Sequence, residues 1–287
     1  ERVRRLSIVE PRLEQVKVGG AESFKTAVPK YDGGFLDVGT HVFLPPGAKA
    51  GHALPTVVYF YSGLPFTMYS RDFGGGAPGS IPVAIFSTRG YAVLFCDVPL
   101  GPEGKAGNPV QEMTDVILAQ VQRAAALGYT DIKRVAIMGH SYGGYSAAAI
   151  ITRTQLFRAA LALDGSYDLA SNYAWMNPGG TNNFMWAESG QGRMGSNPWS
   201  DVQRYIDNSP FYQAGKIHTP LLLIHGEKDG ACPVSEAQKM FSALKRLGRE
   251  CELATYAGEG HVTGRWSLAN AVDAGERMIE FLGEHVK

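Results

Sequence analysis

Apolar residues run along this chain in two rhythms. Short stretches rich in branched side chains, bounded by Gly, Pro or Asp, read as strands. Residues 14–18 ("EQVKV") alternate apolar and polar, and residues 40–45 ("THVFLP") do likewise, as half-exposed strands would. Residues 56–61 ("TVVYFY"), 91–97 ("YAVLFCD"), 134–139 ("RVAIMG"), 159–164 and 220–226 ("PLLLIHG") are apolar almost throughout, the pattern of strands covered on both faces. Residues 251–256 ("CELATY") close the series. Between the later runs the period changes. Met113, Val116, Ile117, Val121 and Ala124 form a helical stripe that Gly128 ends. Residues 145–153 and 270–286 are also helical in pattern, and 235–248 runs from a serine N-cap to a glycine stop. Buried strands alternating with helices predict an α/β fold with a mostly parallel eight-stranded sheet and helices on both faces. The first two strands have no helix between them and are expected to pair antiparallel.

One region breaks this rhythm. Residues 172–212 are rich in Asn, Gly and Ser and show no sustained period, yet they carry Tyr173, Trp175, Phe184, Trp186, Trp199 and Tyr205. That aromatic content opposes disorder, and a long irregular segment inside a domain is usually functional. It reads as an aromatic insertion lying over the sheet edge where substrate binds. The whole chain, 1–287, reads as one catalytic domain, with 1–50 as N-terminal strands and extension.

Composition narrows the function. Of 287 residues 45% are hydrophobic, and 27 basic residues balance 27 acidic ones. A neutral balance without basic runs gives no reason to expect a nucleic-acid partner; "RVRR" at 2–5 reads as a solvated terminal segment. No segment reaches the length of a membrane span, and no secretory signal is visible, although the first residue is Glu rather than Met. A soluble protein is expected, with a cytoplasmic location favoured. Cys96, Cys232 and Cys251 form no zinc-like spacing and no disulfide framework, although one bridge among them stays open. Neither a metal nor an organic cofactor is called for.

The chemistry lies in Gly139-His140-Ser141-Tyr142-Gly143. A G-x-S-x-G pentapeptide is weak alone. Here a buried strand precedes it and a helix follows, the setting of a nucleophile elbow. A serine hydroxyl needs a base, and hydrolases built this way order the chain as Ser, acid, His. Asp229 follows the strand at 220–226, with Glu227 as the fallback acid. His261 follows the strand at 251–256. Asp164 and Asp168, after the strand that succeeds the elbow helix, are minor candidates for the acid. Of the other histidines, His140 is expected to pack behind the serine and His225 to be buried and hydrogen-bonded. The backbone N–H of Tyr142 is the default oxyanion donor. A second donor must come from "YSGLPF" at 61–66. There Tyr61 is either a phenolic donor or a packing residue at a strand end.

Taken together, "GHSYGGYSAAAIITRTQLFRAALALDGSYD", "NSPFYQAGKIHTPLLLIHGEKDGACPVSEAQKMFSALKRLGRE" and "YAGEGH" resemble the catalytic domain of the prolyl oligopeptidase family of serine peptidases, within the α/β-hydrolase superfamily. The resemblance runs from about Leu54 to the end. "FMWAESGQGRMGSNPWSDVQRYIDNSP" and "DVPLGPEGKAGN" look most like acylaminoacyl-peptidase and glutamyl-endopeptidase-like members. It implies Ser141, Asp229 and His261 as a catalytic triad and favours Tyr61, with Tyr142, at the oxyanion. The sequence departs from the family in two places. No blade-like repeats of an N-terminal β-propeller are present, as expected either of a catalytic fragment or of a free-standing hydrolase, and Val262-Thr263-Gly264 follows the histidine.

The expected function is a serine hydrolase that cleaves peptide or acyl-amino-acid bonds through an acyl-enzyme. A free-standing carboxylesterase is the alternative, motivated by the missing propeller. A non-catalytic binding protein on a hydrolase scaffold is a third reading, opposed by the retention of all three triad residues. The partner is a peptide or small-molecule substrate. Phe66, Phe184, Trp186 and the nearby Met68 suggest an apolar substrate pocket, while Arg193 or Arg71 could receive an acidic group.

Overall fold

A computed structural model describes residues 16–72, 77, 79, 81–104 and 107–287. Eight strands form one sheet: β1 (Ala21–Pro29), β2 (Phe35–Phe43), β3 (Leu54–Phe60), β4 (Ala92–Cys96), β5 (Thr130–His140), β6 (Ala159–Leu163), β7 (Leu221–Gly226) and β8 (Cys251–Tyr256). Their order is β1-β2-β4-β3-β5-β6-β7-β8. The pairs β1–β2 and β2–β4 are antiparallel and every other pair is parallel. With all eight strands in this sheet, none among the described residues is left to build a propeller blade.

The first strand is not where the alternation at 14–18 suggested. Residues 14 and 15 lie outside the described residues, as does the basic segment at 2–5, and 16–18 form no strand. β1 lies beyond the Gly19-Gly20 pair. It buries Thr26 and Val28 against β2, in register with Val38 and Leu36. Two neighbouring stretches alternate, and cross-strand pairing selects the second.

The central strands are buried at nearly every position, which requires cover on both faces. The helices are α1 (Ala84–Ser87), α2 (Pro109–Ala126), α3 (Tyr142–Ile150), α4 (Leu169–Ala174), α5 (Phe184–Glu188), α6 (Val202–Asn208), α7 (Ser235–Arg246) and α8 (Leu268–His285). α2 packs on α3 and β5, whereas α8 packs on α1, β6 and β7. The cap of α2 is Asn108, which accepts from Gln111 N at 3.1 Å, with Pro109 in the first turn. α7 differs from expectation: Ser235 is its first helical residue, and Val234 stands at the cap without a side-chain bond. The 172–212 segment is more ordered than its composition implied. The C-terminal half of α4, then α5 and α6, lie within it; α4 and α6 are capped by Asp168 and Asp201. These helices are too short for a 3.6-residue period to emerge. No helix among the described residues is long and apolar enough to cross a membrane.

α3 begins earlier than the sequence pattern suggested, at Tyr142, so Gly143 and Gly144 are helical rather than parts of a turn. They are small because the helix presses on the sheet. A Cβ on Gly143 would lie 2.7 Å from the Phe60 carbonyl oxygen, and one on Gly144 would lie 2.5 Å from that of Leu163. Gly144→Ala is therefore expected to destabilise the protein by about 3 kcal/mol through overpacking. The check is a urea unfolding midpoint, which should fall with the m-value unchanged; an unaltered midpoint would contradict the close approach.

Candidate active site

Ser141 sits between the last residue of β5 and the first of α3, with φ 59° and ψ −121°. That conformation is strained for a residue with a side chain. It is held by the Ser141 N–H donating to Leu163 O at 2.8 Å and by the tightness of the turn, in which a Cβ on Gly139 would lie 2.3 Å from Gly143. The bend lifts the hydroxyl out of the sheet at its carboxyl edge. Tyr61 leaves β3, Asp229 leaves β7 and His261 leaves β8 at the same edge, where open α/β sheets bind ligands.

Ser141 Oγ lies 2.8 Å from His261 Nε2, and His261 Nδ1 lies 2.7 Å from Asp229 Oδ2. Asp229 is buried, and its other oxygen accepts from the N–H groups of Ala231 and Cys232 at 2.7 and 2.8 Å. Burial alone would push this carboxyl up. Hydrogen bonds from His225 and His261, the charge of His261 and the Cys232 amide outweigh it and hold the group well below the usual carboxylate range. Asp229, not Glu227, therefore faces the histidine. Glu227 accepts instead from Thr255 at an exposed site. Asp168 caps α4 and pairs with Lys239 at 3.4 Å. Asp164 is fully buried and accepts from Gly226 N at 2.9 Å.

Two histidines that the sequence placed as packing and buried hydrogen-bonded residues support this line. His140 packs its ring 4.8 Å from that of His261, and its Nε2 lies 2.5 Å from the His261 carbonyl oxygen. His225, fully buried, places Nε2 2.9 Å from Cys232 O and 3.3 Å from Asp229 Oδ2. Burial would lower its pKa, but the Asp229 and Asp164 carboxylates and the Cys232 carbonyl raise it overall. Asp164, His225 and Asp229 bring potential metal-ligating atoms within 4.8 Å of one another, as do Asp229, Cys232 and His261. In both groups Asp229 is already committed to its histidine and to backbone amides. The Cys232 thiol is pushed up by burial, which disfavours the thiolate a metal needs. All three cysteines are free.

Tyr61 faces the serine. Burial raises its pKa, opposed by hydrogen bonding to Gln191, to the Ser141 side chain and to the Tyr142 backbone. Its hydroxyl donates to Gln191 Oε1 at 3.2 Å, and the Trp186 indole N–H donates to the same oxygen at 3.3 Å. Trp186 can only donate, so it fixes which end of the Gln191 amide points at Tyr61. Sequence reasoning missed Gln191, because a lone glutamine in an irregular segment carries no motif.

A cavity of about 290 Å³ opens beside Ser141, with Tyr142, Tyr145, Ser166, Asn172, Trp186 and Gln191 among its lining residues. Of the pocket residues expected from sequence, Trp186 lines it. Phe66 does not. It is fully buried, stacked on Phe95 at 4.8 Å with its edge to Tyr59, because the loop after β3 turns it inward. Phe184 stacks on Tyr173 at 4.4 Å, outside the cavity lining. Arg193 is buried as a clasp, donating to Gly101 O at 2.8 Å and Gln191 O at 2.9 Å. Met68 is exposed, and the Arg71 side chain lies outside what the structure describes.

The family model described as "Prolyl oligopeptidase family" matches residues 81–287. The "Uncharacterized peptidase YuxL" of Bacillus subtilis (strain 168) is 28% identical over 190 residues, 63% of this chain and 28% of that protein. The chloroplastic "Probable glutamyl endopeptidase" of Arabidopsis thaliana is 28% identical over 257 residues, 83% of this chain and 25% of that protein. The chain thus spans about a quarter of the length of these curated relatives. The solved acylaminoacyl peptidase of Pyrococcus horikoshii superposes with a TM-score of 0.76 at 21% identity, covering 99% of this chain and 45% of that one. At that identity the likeness speaks for the fold.

The lowered Asp229 pKa carries a stability consequence. A carboxylate depressed in the folded state contributes stability that is fully present above its unfolded value, about 3.9, and is lost as pH falls below it. Asp229→Asn should therefore flatten the acid limb of a plot of urea midpoint against pH below about pH 4. An acid limb identical to that of the parent would contradict the assignment.

Proposed function

The chain belongs to the prolyl oligopeptidase family, and from that premise we propose that it is a serine peptidase acting on peptide or acyl-amino-acid bonds through an acyl-enzyme. The observation that carries the reading is the continuous hydrogen-bonded line Ser141–His261–Asp229 starting at a strained elbow. The chain is read as one catalytic domain, and the segment 172–212 supplies part of its substrate cavity.

Ionised Asp229 accepts from His261 Nδ1–H, which leaves Nε2 as the acceptor facing the serine. Nε2 takes the Ser141 proton as Oγ attacks the substrate carbonyl carbon, and Asp229 stabilises the imidazolium that forms. The tetrahedral oxyanion receives the Tyr142 N–H and the Tyr61 O–H. Tyr61 has one proton, held at rest by Gln191; the charged oxyanion is the stronger acceptor and draws it over. Collapse breaks the C–N bond, and His261 gives its proton to the departing amine. Water then attacks the ester, with Nε2 again as base, and releases the acid and the free serine.

Ser141→Ala should lower kcat by something on the order of a million-fold, and an alkyl fluorophosphonate should label the parent at Ser141 and fail on the variant. Near-normal turnover in the variant would sink the mechanism. Tyr61→Phe should reduce kcat about a hundred-fold with KM little changed, as loss of an oxyanion donor does. An unaltered kcat would return Tyr61 to a packing role.

A further inference from the structure

The cavity beside Ser141 has two kinds of wall. Tyr142, Tyr145 and Trp186 give it aromatic sides, while Ser166, Asn172, Asn183 and Gln191 give it neutral polar ones. None of its lining residues is charged. The Arg193 guanidinium is held by the Gly101 and Gln191 carbonyls and lies near the Tyr142 hydroxyl, outside the lining.

The polar groups retain unused capacity. Asn172, 2% exposed, accepts from Asn183 Nδ2 at 3.1 Å, which leaves its own Nδ2 as a spare donor. Gln191 spends Oε1 on Tyr61 and Trp186, so its Nε2 is spare as well. Ser166, 3% exposed, buries its Oγ against the Cys232 thiol, out of reach from the cavity. Asn183 Nδ2 is taken by Asn172, so Asn183 supplies a spare acceptor, Oδ1. The Asn172 and Gln191 donors and the Asn183 acceptor are thus open to a partner from the cavity.

We infer that this cavity receives an uncharged side chain ending in a carboxamide, that of glutamine, on the residue whose carbonyl Ser141 attacks. The aromatic walls cover its aliphatic stem. Its carbonyl oxygen accepts from the spare amide donors of Asn172 and Gln191, and its NH₂ group donates to the Asn183 oxygen. Glutamate has the same shape, but its carboxylate would be buried without a cation in the lining and would set an acceptor against Asn183 Oδ1. Lysine and arginine would likewise be buried without an anion. This selectivity rests on Ser141 being the nucleophile proposed above.

Matched peptidyl diphenyl phosphonates test it without needing turnover. Three probes, identical except for a glutamine, glutamate or norleucine side chain next to the phosphorus, are reacted with the full chain at pH 7.5. Ser141 modification is followed by mass spectrometry, and an alkyl fluorophosphonate serves as a reference. The glutamine probe should react at least about a hundred-fold faster than the glutamate probe. Asn172→Leu should shrink the glutamine-to-norleucine ratio by about tenfold, a ratio that a general loss of folded protein does not move. Labelling by the fluorophosphonate together with equal glutamine and glutamate rates, or with neither probe reacting, would overturn the selectivity alone. No labelling of Ser141 by any reagent would overturn the catalytic reading and the selectivity with it.

Discussion

A serine held at φ 59° between a buried central strand and a helix that begins on the next residue is the constraint around which this molecule is arranged. The conformation persists only because its surroundings over-determine it. Gly139 and Gly143 let the bend close, Gly143 and Gly144 let α3 lie against the carbonyls of Phe60 and Leu163, and Leu163 O takes the serine N–H. Strands β3, β5 and β6 must therefore be adjacent and parallel before the elbow can form, as they are in the sheet. The hydroxyl emerges at the carboxyl edge as a consequence of this packing.

The second organising feature is a charge kept ionised under burial. Asp229 receives two backbone N–H groups and faces two histidines, one before it and one behind. Without those donors its desolvation would favour the neutral acid, which cannot orient His261 as an acceptor toward Ser141. His140 holds the His261 carbonyl from the other side, so that the imidazole is gripped at both its backbone and its ring. The residue between Gly139 and Ser141 in the pentapeptide thus steadies His261 as well as lining the turn.

The irregular segment 172–212 meets this machinery at Gln191. Through that amide, Tyr61 from the loop after β3 is tied to Trp186, and Arg193 clamps the Gln191 carbonyl and Gly101 together. Tyr61 and the cavity wall are consequently parts of one hydrogen-bonded unit. That coupling links the cavity wall to how the phenol is presented to Ser141.

The sequence by itself determined the parallel core, the elbow, and the order of Ser141, Asp229 and His261, because each depends on local signals: unbroken apolar runs, small residues around a serine, polar residues just past strand ends. It misjudged β1, since two alternating stretches flank Gly19-Gly20 and only pairing with β2 chooses between them. It placed Phe66, Phe184 and Arg193 at the pocket from residue type alone, whereas side-chain direction sends one into the core, one against Tyr173 and one into a backbone clasp. Tertiary structure alone decided that His225 and His140 brace the pair, and that Asn172, Asn183 and Gln191 meet beside the serine. Those contacts join residues far apart in the chain, and a neutral amide or a buried histidine has no local pattern that announces its partner.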